Sequence, residues 1–369
     1  HVRFCEGLLR LEPLIAKLIY IDERSEGRDK VYSTQKKMEL FKELTQLHGV
    51  SGYEREVRAF IKEKVQGYAD EIIEDAIGNL IVYKKGTGAN KKKVMLCAHM
   101  DEIGLQVIKI EQDGRIMVKS MGCSWMYTTY QSRVRFRNGT IGIVASRVRP
   151  EDLNGQFTNL YVDIGVASKE EVLKYVDVGD VAIYEGPYEE LAGDFVTAKA
   201  IDDRVGCYMQ LKTLMEKESF YNDAYFVFTV QEEVGCRGSQ VTAHRIQPDI
   251  GVAVDVTPGM DHPGDLEGNN TPGNGTAIKI SDTSVICDEY LVEKMIGCAK
   301  RDGIPFQKDV IYVGGTDASS MNLSNDGVKA CAVSVVTRYT HGPNAIVNKK
   351  DIRASIDLLK AFLDEEFEF

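Results

Sequence analysis

Residues that can bind a metal ion or carry a proton follow directly on several apolar runs of this sequence. Each run is short enough for a β-strand and ends in a carboxylate or a histidine. In chain order these residues are His99 and Asp101 in "VMLCAHMD", Glu232 and Glu233 in "YFVFTVQEE", Asp255 in "IGVAVDV", and His341 in "VSVVTRYTH". Because open α/β sheets bind ligands beyond the carboxyl ends of their strands, this arrangement predicts one shared polar site.

A further pair of carboxylates, Asp202 and Asp203 in "AKAIDDRVG", stands where a helix is predicted to begin. One of them is expected to cap the helix, since a carboxylate at a helix N-terminus accepts hydrogen bonds from backbone amides. The other remains available to the polar site.

Together these side chains form a mixed nitrogen and oxygen ligand set. Such a set suits Zn²⁺, Co²⁺ or Mn²⁺, and it holds too many carboxylates for a single structural zinc. Two ions held roughly 3.5 to 4 Å apart need a bridging carboxylate, and hydrolases use such pairs to activate water. In an extended "HMD" segment, Asp101 lies on the same side as His99 and can orient its imidazole.

The adjacent residues Glu232 and Glu233 need a separate explanation, because neighbouring side chains on a strand point to opposite faces. For an isolated pair, a solvated strand end is the simpler interpretation. The ligand-type residues at the other strand ends favour a bend after this strand. Both carboxylates can then face the metal ions in different roles, and the cations offset their repulsion.

The rest of the chain alternates between helix and strand patterns. Helical spacing marks "MELFKELTQLHGVSG", "EREVRAFIKEKVQGY", "DEYLVEKMIGCAKRDG" and "DIRASIDLLKAFLDEEF", and "DDRVGCYMQLKTLMEKE" is interpreted as an amphipathic helix. Short apolar runs between them are typical of strands. We therefore predict an α/β fold with a mixed, mostly parallel sheet covered by helices on both faces.

Residues 105–190 have a different texture, with short alternating runs separated by Gly, Asn and Asp. "RNGT" between "RVRF" and "IGIVA" predicts a β-hairpin, and Ser168 with Glu171 predicts the start of a short helix. The segment is predicted to be a small β-barrel domain inserted into a catalytic domain of residues 38–104 and 191–369. Residues 1–37, which are charged and weakly patterned, are interpreted as an N-terminal extension, either a leader or an added segment.

Composition narrows the class of protein. The 369 residues are 43% apolar and 27% charged, and their net charge of -11 disfavours nucleic acid or an anionic membrane as the main partner. The eight cysteines form no C-x-x-C pair, and no apolar run approaches the roughly 20 residues of a membrane span. These features predict a cytoplasmic protein with reduced cysteines.

The polar segments resemble those of the dinuclear metal aminopeptidases, in the family of bacterial glutamyl aminopeptidases, tetrahedral (TET) aminopeptidases and deblocking aminopeptidases. The similarity extends from Met38 to the C-terminus. It rests on "AHMDEIGLQV", "AKAIDDRVGC", "TVQEEVGCRGS", "DVTPG", "GGTDASSMNLSNDGV" and "RYTHGP", in this order and spacing. The resemblance implies peptide substrates cleaved at the N-terminal residue, and a homo-oligomer, such as a dodecamer, assembled through the inserted β-domain.

Residue by residue, the resemblance also implies a site for two divalent ions per subunit, Zn, Co or Mn. Asp202 would bridge the two ions. His99 and Asp255 would complete one site, and Glu233 and His341 would complete the other.

The catalytic roles implied by the resemblance fall to two further carboxylates. Glu232 would be the general base that takes a proton from water and hands it to the leaving amine. Asp101 would support its neighbouring histidine. The segments "GGTDASS" and "TRY" would line the substrate pocket, with Gly315, Thr316 and Arg338 as the candidate contacts.

Other functions stay open at this point. One alternative is a metal-dependent hydrolase of another bond, such as an N-acyl deacylase or an endoglucanase, as some relatives are labelled. Another is a non-catalytic assembly protein that keeps the fold. The histidines His48, His244 and His262 are interpreted as surface or turn residues, although His262 follows Asp255 closely, and Arg204 is expected to pair with a carboxylate.

Overall fold

The computed structural model describes residues 38–263 and 267–369. The predicted N-terminal extension, residues 1–37, lies outside the described residues. Within the described ranges, no helix is both long enough and apolar enough to cross a membrane. Residues Phe41–Phe369 form one compact unit.

The strands belong to two separate sheets, and the helices are interspersed between them. In chain order the strands are β1 (Glu71–Glu74), β2 (Leu80–Lys84), β3 (Lys93–His99), β4 (Gly104–Ile110), β5 (Ile116–Met121), β6 (Arg133–Phe136), β7 (Ile141–Ser146), β8 (Leu160–Asp163), β9 (Val181–Tyr184), β10 (Glu189–Glu190), β11 (Phe195–Ala198), β12 (Asp223–Thr229), β13 (Ile250–Pro258), β14 (Thr276–Ser281), β15 (Phe306–Val310), β16 (Lys329–Arg338) and β17 (Ala345–Asn348). The α-helices are α1 (38–46), α2 (Arg55–Lys64), α3 (Met126–Thr129), α4 (Lys169–Val172), α5 (Ile201–Met215), α6 (Arg237–Ile246), α7 (Glu289–Arg301), α8 (Ala318–Asn322) and α9 (Lys349–Leu363).

The larger sheet has eleven strands, in the order β1-β2-β12-β3-β13-β16-β17-β11-β10, with β14 pairing with both β16 and β15. The central strands β12, β3, β13 and β16 are parallel to one another. Strands β2 and β17 join this core antiparallel, and β1, β11 and β10 continue antiparallel outward. The predicted mixed α/β sheet with a parallel core is confirmed.

The register of the parallel core aligns the polar residues at the carboxyl ends of the strands, so that they lie at the same height along the strand direction. Cys97 pairs with Ala253, so His99 and Asp255, each two residues further on, leave the same face of the sheet at the same height. Thr229, the last residue of β12, pairs directly with His99. Any side chain that follows β12 therefore emerges beside the imidazole.

Helices cover the larger sheet in two groups. Helices α5, α7 and α9 pack on one another and against β3, β13, β14 and β16, whereas α6 and α8 pack together against β12, β3, β13 and β16. This agrees with the prediction of helices on both faces.

Helix α5 is buried around nearly its whole circumference, so its interpretation as amphipathic is wrong. Its polar residues Gln210 and Thr213 are fully buried together with its apolar ones. Internal hydrogen bonds make this possible: Gln210 donates to the backbone oxygen of Val227, and Thr213 donates to that of Met209.

The second sheet is a closed barrel in the order β4-β5-β8-β7-β6-β9, which confirms the predicted barrel. Its interior is filled mainly by aliphatic side chains from all six strands. The "RNGT" hairpin joins β6 to β7 with Gly139 at φ 93°, and Ser168 caps α4 by accepting the amide of Glu171. The domain boundaries at residues 104/105 and 190/191 stay a prediction.

Three charged side chains form a buried group. Glu102, just before β4, pairs with Lys199 at 2.9 Å and with Arg204 at 3.0 Å, and all three side chains are at most 3% exposed. The expected carboxylate partner of Arg204 is therefore Glu102. Removing one member would leave an uncompensated buried charge, which is costly.

Candidate metal centre and pocket

The carboxyl ends of the central strands border a pocket of about 960 Å³. The predicted ligand and base residues line this pocket together: His99, Asp202, Glu232, Glu233, Asp255 and His341. Asp101 lies beneath them and is fully buried. Residues as far apart in the chain as His99 and His341 thus meet at one site.

The six lining residues contain two groups whose potential ligand atoms all lie within 4.8 Å of one another. One group is His99, Asp202 and Asp255, and the other is Asp202, Glu233 and His341. Asp202 belongs to both. Its Oδ1 lies 3.0 Å from Nε2 of His99, and its Oδ2 lies 3.2 Å from Nε2 of His341. A carboxylate that directs one oxygen to each group has the placement a bridging ligand needs.

The backbone at the start of α5 separates Asp202 from its neighbour Asp203. Asp202 has non-helical angles, and the peptide bond between the two is cis. Asp203 accepts the amide of Gly206 at 2.9 Å, three residues on, as an N-cap residue does, and also the amide of His99 at 3.1 Å. Asp203 thus makes a cap-like bond within the first turn of α5, and Asp202 is left to face the pocket.

The predicted bend after β12 is present and separates the two glutamates. Gln231 has φ 58°, and the carbonyl of Glu232 accepts the amides of Gly235 and Cys236 in the turn that follows. Glu233 Oε2 then lies 3.7 Å from His341 Nε2, whereas Glu232 Oε2 lies 3.8 Å from His99 Nε2. The adjacent carboxylates therefore face different histidines.

Both histidines turn the same ring nitrogen towards Asp202. Nδ1 of His99 donates to the backbone oxygen of Asp101 at 3.0 Å, and Nδ1 of His341 donates to that of Cys123 at 3.0 Å. These bonds fix the proton on Nδ1, which leaves Nε2 to bind a cation. Burial opposes the charged form, yet the adjacent carboxylates raise the pKa of both histidines well above the ordinary value.

The carboxylates of the pocket are crowded, and the one lysine among its described lining residues, Lys279, is already paired with Asp309 at 2.7 Å. Burial is the main reason that the pKa of Glu233 rises to about 8 and that of Asp255 to about 7, and it also raises the pKa of Glu232. Oε1 of Glu233 is buried without a hydrogen-bond partner among the described residues. Divalent cations would stabilise the ionised carboxylates and satisfy this oxygen, so the donor set fits them.

Asp101 contacts both His99 and the segment that carries the two glutamates. The backbone oxygen makes the short contact with the imidazole, while carboxylate Oδ1 is 3.5 Å away. The carboxylate instead accepts the amides of Glu232 at 3.0 Å and Glu233 at 3.2 Å, together with the hydroxyl of Ser51 at 2.6 Å. Its contacts therefore fix the glutamate backbone as well as the histidine ring.

Sequence reasoning did not single out Asp317 or Cys236, which form a third group with Glu232. The thiol of Cys236 donates to Glu232 Oε1 at 3.2 Å. Asp317 is buried and accepts the hydroxyls of Thr229 and Ser239. Asp317 stands at the start of α8 and thereby links this helix to the end of β12 and to α6. The local sequence "GGTDASS" gives no sign of these contacts.

The candidate substrate contacts divide into two kinds. Gly315 and Thr316 line the pocket. The guanidinium of Arg338 instead pairs with Asp261 and lies over the ring of Phe195, and the wall on either side of it is formed by Thr337 and Tyr339. The apolar part of the wall includes side chains that sequence reasoning missed, namely Trp125, Val256, Ile311, Tyr312 and Val313.

Of the remaining histidines, His262 also lines the pocket, and His244 is exposed on α6. His48, interpreted as a surface or turn residue, is not on the surface. It is 6% exposed, neither ring nitrogen has a hydrogen-bond partner among the described residues, and burial lowers its pKa to about 4.

Comparison with known proteins identifies relatives that match most of the chain. Residues 78–358 match the M42 glutamyl aminopeptidase family. A protein of Acetivibrio thermocellus, provisionally named an aminopeptidase, is 42% identical over 322 residues, which cover 87% of this chain and 96% of the relative. The glutamyl aminopeptidase of Lactococcus lactis subsp. cremoris is 31% identical over 353 residues, covering 88% and 96%.

Solved structures extend the similarity to the fold. An aminopeptidase from Desulfurococcus kamchatkensis superposes with a TM-score of 0.85 at 37% identity, covering 90% of this chain and 95% of that one. The TET1 peptidase of Pyrococcus horikoshii, described as assembling into a tetrahedron or a large octahedral shell, gives 0.80 at 30% identity, covering 89% and 100%. A Thermotoga maritima protein described as an endoglucanase gives 0.74 at 33% identity, covering 88% and 96%.

Proposed function

The chain belongs to the M42 glutamyl aminopeptidase family, and we propose that it removes the N-terminal residue from peptides with the help of two divalent metal ions. Its aminopeptidase activity follows from that membership. The observation that carries the two-ion proposal is the position of Asp202, whose two oxygens face His99 and His341 separately.

We assign one ion to each of the two ligand groups. His99, Asp202 and Asp255 would hold one ion, and Asp202, Glu233 and His341 would hold the other. Zn²⁺, Co²⁺ and Mn²⁺ all suit imidazole and carboxylate ligands. Ions held there supply Lewis acidity towards water and towards the carbonyl of the scissile bond.

Glu232 is the proposed general base. It borders the pocket but belongs to neither of the two ligand groups that share Asp202. Its carboxylate would therefore not be occupied by a metal ion and could accept a proton from the attacking water. Burial raises its pKa, which favours proton uptake and the later transfer of that proton to the leaving amine. The amides bound by Asp101 hold the backbone from which it projects.

We also propose that the chain forms a homo-oligomer, as the shell-forming TET1 peptidase does. The barrel and the segments beside it expose several large apolar side chains, which would be covered in an assembly. They are Ile108, Ile141, Ile143, Leu173, Tyr175 and Val178.

A panel of aminoacyl-p-nitroanilides tests the proposed activity. We expect the metal-loaded protein to release p-nitroaniline from several of them and to leave their N-acetylated counterparts intact, because the free amine must reach the site. Carboxymethylcellulose is the control substrate for the endoglucanase description. Hydrolysis of cellulose that persists with a chelator present, without aminopeptidase activity, would contradict the proposal, since glycosidases need two carboxylates and no metal.

A further inference from the structure

The segment that follows β12 has an unusual set of backbone partners. Four consecutive amides, from Val230 to Glu233, all donate to side-chain oxygens. Asn79 Oδ1 accepts the first at 2.9 Å, Glu54 Oε1 accepts the second at 3.1 Å, and Asp101 accepts the third and fourth. We call Asn79, Glu54 and Asp101 the amide cradle.

The cradle residues come from three distant parts of the chain and are themselves fixed. Asn79 is bound to Asp75, Glu54 Oε1 also accepts the amide of Gly52 at 2.7 Å, and Asp101 accepts the hydroxyl of Ser51. Asn79, Glu54, Asp101 and Ser51 are all at most 3% exposed. The acceptors therefore cannot easily move when the site is filled.

The conformation that the cradle holds is one that the chain does not adopt freely. Gln231 has φ 58°, a left-handed value that is uncommon for residues other than glycine. Such a residue persists only where its surroundings determine it. Glu54 holds the amide of Gln231 itself, so its contact acts where the backbone turns the two glutamates apart.

The geometry points to Glu54 as a positioning residue for Glu232, with Ser51 acting on the same segment through Asp101. This inference rests on the proposed function, in which Glu232 carries the proton. Glu54 belongs to neither the ligand groups nor the pocket wall, and its bond to this segment is to the amide of Gln231, so it acts through the backbone next to Glu232. Glu54 is buried with no cationic partner among the described residues, and this burial, together with nearby Asp101, raises its pKa to about 7. The two amides that it accepts offset part of the cost.

The test compares Glu54→Gln, which keeps a carbonyl oxygen for the two amides, with Glu54→Leu, which removes it. Small displacements of catalytic groups cost up to about 10²-fold in rate. We expect Glu54→Leu to lower kcat about tenfold to a hundredfold with KM and metal content nearly unchanged, and Glu54→Gln to stay within about threefold of the wild type. Ser51→Ala should lower kcat roughly threefold to tenfold, since it removes one hydrogen bond to a charged group.

Asp351 offers a matched control. It is a buried carboxylate that accepts two glycine amides, those of Gly273 and Gly275, outside the pocket wall. We expect Asp351→Leu to lower the melting temperature and leave kcat unchanged. The inference would be overturned if Glu54→Leu and Glu54→Gln lost equal activity, if both kept full kcat, or if Asp351→Leu lowered kcat as much as Glu54→Leu.

Hydrogen exchange separates this inference from the proposed function. If the wild-type protein cleaves no aminoacyl substrate, the proposed function fails, whereas the cradle can still be measured by mass spectrometry of residues 230–236. We expect faster exchange there in Glu54→Leu than in Glu54→Gln or Asp351→Leu. Equal exchange in all three variants would overturn the positioning role. Ser51→Ala, a smaller change, provides the kcat test should Glu54→Leu fail to fold.

Discussion

Glu232→Gln should abolish most of the turnover while leaving both divalent ions bound. Glutamine has the same size and planar end group as glutamate, but its amide is too weak a base to take a proton from water. Loss of a general base costs about 10²- to 10⁴-fold in rate, so kcat should fall by that factor. Because Glu232 belongs to neither of the two groups that share Asp202, metal content per subunit, measured by mass spectrometry of the purified protein, should match the wild type.

Glu233→Gln is the matched control for this result. Its carboxylate belongs to the group with Asp202 and His341. The expected result of this substitution is therefore weaker metal binding, and not a loss of proton transfer with both ions still bound. If Glu232→Gln lost an ion and Glu233→Gln kept both, the roles of the two glutamates would be reversed.

Asp202→Ala should have the largest effect on metal binding, because it removes a ligand from both groups at once. Changes in residues that only support a ligand already cost about 10- to 100-fold in metal affinity. Loss of the shared carboxylate should exceed that at each site and reduce activity to background. Isothermal titration of the stripped protein with Zn²⁺ measures both affinities directly.

Asp255→Ala separates the two sites. Asp255 belongs only to the group with His99, so its removal should spare the ion held by Glu233 and His341.

A tight ion retained at full occupancy in Asp202→Ala would contradict the bridging role. Equal loss of both ions in the two variants would mean that the sites are not separable in this way.

That the candidate ligand residues meet in one pocket could be predicted because several of them stand at the ends of strong local patterns. His99 and Asp255 lie on long apolar strands whose type is evident, and the carboxyl ends of parallel strands meet at one edge of a sheet. The barrel was predictable for a similar reason, since its turns carry glycine and asparagine at the positions that such turns require. Strong local signals thus located the site and the second sheet.

The contacts between the elements were not predictable in the same way. The bonds from Val230 and Gln231 to Asn79 and Glu54 link positions 151 and 177 residues apart, and nothing in the local sequence marks the acceptors. Likewise, the buried Gln210 on α5 finds its partner on β12, so its polarity misled the amphipathic interpretation.

Short strands carry a weak local signal because much of their stability comes from the strands beside them. β11 and β17 have four residues each and pair antiparallel at the side of the sheet. Arg338 shows the same limitation for side chains. It is the last residue of β16, which leads to His341, yet its charge is matched by Asp261, a residue that the sequence does not connect to it.

Removal and return of metal ions test the two-ion account most directly. The protein is stripped with a chelator, assayed on the aminoacyl-p-nitroanilide that it cleaves best, and titrated with Zn²⁺, Co²⁺ or Mn²⁺ while bound metal is counted. We predict that activity disappears on stripping and returns with at least one of these ions, reaching its maximum at two ions per subunit. Full activity in the stripped protein, or full recovery at one ion per subunit, would contradict the account.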